Sequence, residues 1–99
     1  MARVRLVFQR KEIIMLTEHD LQRINEQSIG NMENLEEEQK CGCFFCGKIF
    51  SSEEITQYID DEEGDTAVCP FCKTDSVIGE SCGFEISEEL LKEMHDYWF

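Results

Sequence analysis

The alternation of apolar and polar positions divides the chain into short elements. Near the start, Val4, Leu6 and Phe8 alternate with Arg3 and Arg5, the period of a strand. Leu21, Ile24, Met32 and Leu35 then fall on roughly helical spacing, interrupted by Gly30-Asn31. Thr17 stands where a helix cap belongs and Asp20 where it can complete a capping box, while Leu16 and Leu21 have staple spacing. These signals predict a helix over about residues 18–29. The polar stretch Glu36-Glu37-Glu38-Gln39-Lys40 reads as a linker or a second helical turn.

Phe50-Ser51-Ser52-Glu53-Glu54-Ile55 is a fuller capping box, with Ser51 as cap, Glu54 reaching back, and Phe50 and Ile55 as the staple. It predicts a short helix to about Ile59, stopped by the acidic turn Asp60-Asp61-Glu62-Glu63-Gly64-Asp65. Thr66-Ala67-Val68 and Ser76-Val77-Ile78 read as strands, the second closed by Gly79. Ser87 caps a final helix whose first turn holds Glu88 and Glu89 at its positive end, with Ile86 and Leu91 as staple. Leu90, Leu91, Met94, Tyr97 and Trp98 share one face of that helix.

Charge divides the chain again. Residues 1–14 hold four bases against one acid, whereas the rest holds five bases and 21 acids. One reading is a basic arm folded back on an acidic body. The other is a translated leader: Lys11-Glu12 can be encoded as a bacterial ribosome-binding sequence, Ile13-Ile14 is a suitable spacer, and Met15 would be the natural start. The expected organisation is therefore 1–14 as arm or leader, 15–40 as helix and acidic linker, and 41–99 as a cysteine-bearing domain. A formal net charge of −13 over 99 residues counts against direct nucleic-acid binding. No apolar run approaches a membrane span.

The chemistry lies in the cysteines. Cys43-Phe44-Phe45-Cys46 and Cys69-Pro70-Phe71-Cys72 are two C-x2-C pairs with 22 residues between them. In a tight knuckle this spacing aims both sulfurs at one point, and two knuckles supply the four thiolates of a tetrahedral metal site. Gly47 suits the turned backbone after the first pair, and Lys73 stands at the matching place after the second. Lys40, Lys48 and Lys73 lie beside the pairs, where they can offset the net −2 of a four-thiolate zinc. The competing explanations are a disulfide framework, which lacks a secretory signal, and a redox C-x-x-C.

The expected metal is Zn2+, with iron as the alternative, because rubredoxin-like sites use the same ligands. The metal ligands are Cys43, Cys46, Cys69 and Cys72. Cys41 and Cys82 are left over, as free thiols or as a pair. The small apolar set of the centre (Phe44, Phe45, Ile49, Phe50, Ile55, Tyr58, Ile59, Val68, Phe71, Val77, Ile78) would need an ion to fold.

The string Cys41-Gly42-Cys43-Phe44-Phe45-Cys46, Glu54-Ile55, Thr66-Ala67-Val68-Cys69-Pro70-Phe71-Cys72, Asp75-Ser76-Val77-Ile78-Gly79 and Met94-His95-Asp96-Tyr97-Trp98-Phe99 resembles a family of small bacterial proteins of uncharacterised role, labelled only "cytoplasmic protein". It departs from that pattern at Lys73 and Cys82. The resemblance implies a cytoplasmic location, bacterial or phage origin and a zinc-ribbon-like site, and no activity.

The fold class expected is α+β: a zinc-ribbon or rubredoxin-like centre with an inserted short helix, flanked by an N-terminal helix and a C-terminal amphipathic helix. Three functions compete. The first is a zinc-stabilised module that docks on a protein with a basic surface, including a nucleic-acid-handling protein whose DNA site the acids mimic. Residues 60–65 and Tyr97-Trp98-Phe99 are its candidate contacts. The second is an iron electron carrier. The third is an enzyme using His95 beside Asp96; a zinc closed by four thiolates has no open position for substrate, which counts against it.

Overall fold

Each element begins where its capping or strand-forming residues place it. The computed structural model describes residues 5–9, 12–32, 35, 39–60, 62 and 64–99. Arg3, Val4, Arg10, Lys11, Glu36, Glu37, Glu38, Asp61 and Glu63 of the sequence expectations lie outside the described residues.

β1 (Leu6–Gln9) and β2 (Glu12–Met15) form an antiparallel hairpin, with Leu6 opposite Met15 and Phe8 opposite Ile13. The expected strand is present, and its inward residues are Val7 and Gln9 rather than Leu6 and Phe8. Gln9 is held by a two-way amide pairing: its Nε2 donates to the Glu85 carbonyl at 2.9 Å and its Oε1 accepts from the Glu85 N–H. α1 (Glu18–Glu26) starts at Thr17, whose hydroxyl accepts from Asp20 N–H while the Asp20 carboxylate accepts from Thr17 N–H. Leu16 and Leu21 are both buried, as a staple requires.

α1 ends at Glu26, before the expected boundary near residue 29. Gln27 N–H turns back to the Ile24 carbonyl at 3.0 Å, and the Ser28 hydroxyl takes the Asn25 carbonyl at 2.6 Å. This local competition tightens and stops the helix. Gly30 N–H then bonds the Thr66 hydroxyl at 2.7 Å, which turns the chain toward the second half. Buried Asn31 completes the join: its Nδ2 donates to Gln27 and Val77 carbonyls at 3.0 and 2.9 Å, and its Oδ1 accepts from Ala67 N–H at 3.0 Å.

β3 (Lys40–Cys43) is the middle of a three-stranded antiparallel sheet, between β4 (Ile49–Ser51) and the later β7 (Val77–Gly79). The Ser51 capping box forms as expected, but it opens one 3-10 turn, Ser52–Glu54. The short helix expected to reach Ile59 is absent. Ile55 is already extended, and Tyr58–Ile59 (β5) pairs with Thr66–Ala67 (β6) around the acidic turn. Tyr, Ile and Thr favour the pleated surface once a partner strand is at hand. α2 (Glu88–Trp98) starts at Ser87, whose hydroxyl accepts from Leu90 N–H at 3.1 Å.

The sheet divides two cores. Side chains alternate across a strand, so Cys41, Cys43 and Val77 face one side, where they pack with Leu35, Phe50, Ile55, Ala67 and Cys69. Ile78 and the open side of Gly42 face the other, toward the core of Val7, Leu16, Leu21, Ile24, Phe44, Ile86, Leu90, Leu91 and Met94. Gly42 admits α2 directly against the strand, since a Cβ there would lie 2.8 Å from Leu91 Cδ1 and 2.9 Å from Ile86 Cγ2.

Four residues expected in the central core are exposed instead: Phe45, Ile49, Ile59 and Phe71. Phe45 and Phe71 occupy knuckle tips, where the backbone turns its side chains outward. On α2, Leu90, Leu91 and Met94 are buried, while Tyr97 and Trp98 run past the edge of the core. Their polar tips meet α1: Trp98 Nε1 donates to the Leu21 carbonyl at 3.4 Å, and the Tyr97 hydroxyl accepts from Gln22 at 3.3 Å. No helix among the described residues is long and apolar enough to cross a membrane.

Candidate metal centre

Two copies of one turn build the site. In the first, Gly47 N–H bonds the Cys43 carbonyl at 2.8 Å and Cys43 N–H bonds the Lys48 carbonyl at 3.0 Å. In the second, Lys73 N–H bonds the Cys69 carbonyl at 3.0 Å and Cys69 N–H bonds the Thr74 carbonyl at 2.8 Å. The same offsets recur because both turns need a residue with positive φ after the second cysteine. Gly47 adopts φ +79° without strain, and Lys73 adopts φ +68°, where a Cβ is crowded. The sequence departure at Lys73 is therefore a departure in residue and not in backbone.

The knuckles turn amides toward sulfur. Phe71 and Cys72 N–H groups point at Cys69 Sγ at 3.4 and 3.5 Å, and Phe45 and Cys46 backbone groups do the same for Cys43. The Sγ atoms of Cys43, Cys46, Cys69 and Cys72 all lie within 4.8 Å of one another. Two cross-knuckle distances are 3.6 Å (Cys43–Cys72) and 3.8 Å (Cys46–Cys69). A tetrahedron with metal–sulfur bonds of ~2.3 Å has sulfur–sulfur edges of about 3.8 Å. The donor set is all sulfur, and these two cross-knuckle distances are close to that edge length. All six cysteines are free thiols.

The site has a sealed side and an open side. Cys43 and Cys69 are buried, Cys72 is half-buried and Cys46 is exposed. Burial pushes the Cys43 thiol up to about 12, against the pull of the Thr74 hydroxyl and the Cys46 and Phe45 amides. Burial also raises Cys46. At Cys72 burial is outweighed by the Thr74 hydroxyl and amide and by Cys43 and Cys69, so its thiol comes down to about 7. A cation bound here must therefore displace protons from the raised thiols of Cys43 and Cys46.

Thr74 is the residue that sequence reasoning missed. Its hydroxyl lies 3.1 Å from Cys72 Sγ and 3.5 Å from Cys43 Sγ, bridging the two knuckles. The only available signal was a hydroxyl residue directly after the second turn. Lys48 reaches the second knuckle, with Nζ 5.8 Å from the Phe71 ring centroid.

The leftover cysteines separate. Cys41 packs on the metal-side core with its thiol directed at the Gln39 carbonyl, and burial, with Glu80 adding to it, pushes it up to about 12. Cys82 packs against the opposite core and points at the Phe84 carbonyl. They lie on opposite sides of the sheet and form no pair. His95 is outside the four-sulfur cluster: its Nδ1 is 3.2 Å from the Phe44 carbonyl, and its ring leans on Phe45 and Phe99. It buttresses the first knuckle from α2. Comparison with protein families, curated proteins and solved structures finds no match to this chain.

Proposed function

We propose that the chain holds one structural Zn2+ through Cys43, Cys46, Cys69 and Cys72, and that the ion-locked body is a protein-interaction module for a partner with a basic surface. The observation that carries the metal reading is the convergence of four sulfurs within 4.8 Å, from two turns with matching hydrogen bonds. Four protein ligands close the coordination sphere, which suits a structural ion and leaves no place for substrate. The resemblance of the motif string to a cytoplasmic bacterial family implies a reducing compartment, in which thiols stay available to a metal.

Elemental analysis with an absorption spectrum tests the metal. One zinc per chain in a colourless preparation is expected. One iron per chain with visible sulfur-to-iron absorption would replace this reading by the electron carrier, and a metal-free native protein would remove both. The net charge of −13 supports the basic partner. Capture of basic proteins from a bacterial lysate that fades as salt is raised is the expected result; capture indifferent to salt counts against charge as its basis.

A further inference from the structure

We infer that the outer face of the β1–β2 hairpin is a self-association surface, on which a second copy of this chain packs hairpin to hairpin about a two-fold axis. Leu6, Phe8, Ile13 and Met15 remain 53, 53, 70 and 62% exposed. The register pairs them across the ladder, Leu6 with Met15 and Phe8 with Ile13, so they form one uninterrupted apolar patch. It amounts to roughly 500 Å², within the ~300–600 Å² of the largest patch on a typical monomer, a patch that is often functional.

The patch cannot relieve itself by turning over. Val7 and Gln9 commit the opposite face to the core, and a one-residue slip would expose them. The β1 edge is fastened to α2, where the Glu89 carboxylate accepts from Phe8 N–H at 3.2 Å, and Gln9 is fastened to Glu85. Arg5 at the base of the hairpin lies over the Tyr97 ring, 5.1 Å from its centroid, and 3.9 Å from Glu93. The surface is therefore rigidly presented.

Area and charge select the occupant. Two such patches stacked face to face remove at most about 1,000 Å² from water, the size of a weak, reversible interface. The four side chains carry no charge, so stacking buries none. A basic protein finds no acid among these four side chains. A second copy presents the same uncharged face, and a two-fold axis makes the contact closed and self-limiting.

Sedimentation equilibrium of the metal-loaded full chain, from low micromolar to near millimolar, tests this. The mass is expected to rise from 11.6 kDa to twice that value. Added NaCl should tighten the dimer, because it screens the repulsion of two chains of like charge. Ile13→Glu should raise the dissociation constant about tenfold or more, and Ile13→Thr, which keeps a strand-forming residue, by less, both with unchanged circular dichroism and metal content. A wild-type chain that stays monomeric throughout overturns the proposal. So does a dimer that Ile13→Glu leaves intact, or binding to phosphatidylserine vesicles that Ile13→Glu abolishes while the chain remains a monomer.

Discussion

The two faces of the β4-β3-β7 sheet are built from different side chains. The helical face contains Leu21, Ile24, Ile78, Ile86, Leu90, Leu91 and Met94, large aliphatic side chains that hydrophobic burial alone can sustain. The knuckle face contains Leu35, Phe50, Ile55 and Val77 among cysteines and Ala67, and Phe45 and Phe71 at the knuckle tips are about half exposed. A core so poor in aliphatic volume is the place where an ion substitutes for side chains. On the metal reading proposed above, the chain divides its stability between burial and coordination on opposite sides of one strand.

Removing the ion is the strongest way to test that division. Chelation or Cys69→Ser should remove on the order of 10 kcal/mol of coupled folding free energy, comparable to the whole stability of a small domain. Because Gly42 and Ile78 belong to the strands that carry the knuckles, the loss should reach the helices. Trp98, hydrogen-bonded to Leu21, is the reporter, and its emission should shift together with the far-ultraviolet signal. Native Trp98 emission after verified metal loss would mean that the faces fold independently.

Leu91→Ala probes the other side and should destabilise by about 2–5 kcal/mol in chemical denaturation. The folded fraction should still bind one metal ion, and loss of metal stoichiometry would erase the distinction between the faces. Asn31→Ala cuts the polar link between α1, β6 and β7, leaving buried Ala67 N–H and Val77 carbonyl groups without this partner. A loss of about 2–3 kcal/mol is expected, with metal content unchanged. Lys73→Gly is the smallest effect and of opposite sign. It relieves a positive-φ residue in the second knuckle and should stabilise the metal-loaded protein by about 1 kcal/mol, read as a raised Tm.

Some features were legible in order along the chain because they depend on neighbours. The caps at Thr17, Ser51 and Ser87 formed as read, since each needs only a side chain and an amide two or three residues away. The pairing of C-x2-C with C-x2-C was equally legible, because two-residue spacing dictates a knuckle. The helix predicted to Ile59 failed for a non-local reason: β6 offered Tyr58 and Ile59 a partner that no window around Ser51 contains. Likewise, nothing in the sequence distinguished Phe44, which is buried beneath α2, from Phe45, which is exposed.

The sequence by itself determined where helices begin, which four sulfurs can meet and which segments carry charge. Those properties follow from spacing over a few residues. Only the tertiary structure decided that Val7 and not Phe8 turns inward, that Asn31 joins three elements, that Thr74 bridges two thiols and that Cys41 and Cys82 lie apart. Each depends on which face of a strand another element covers, and that choice is made by packing of the whole chain.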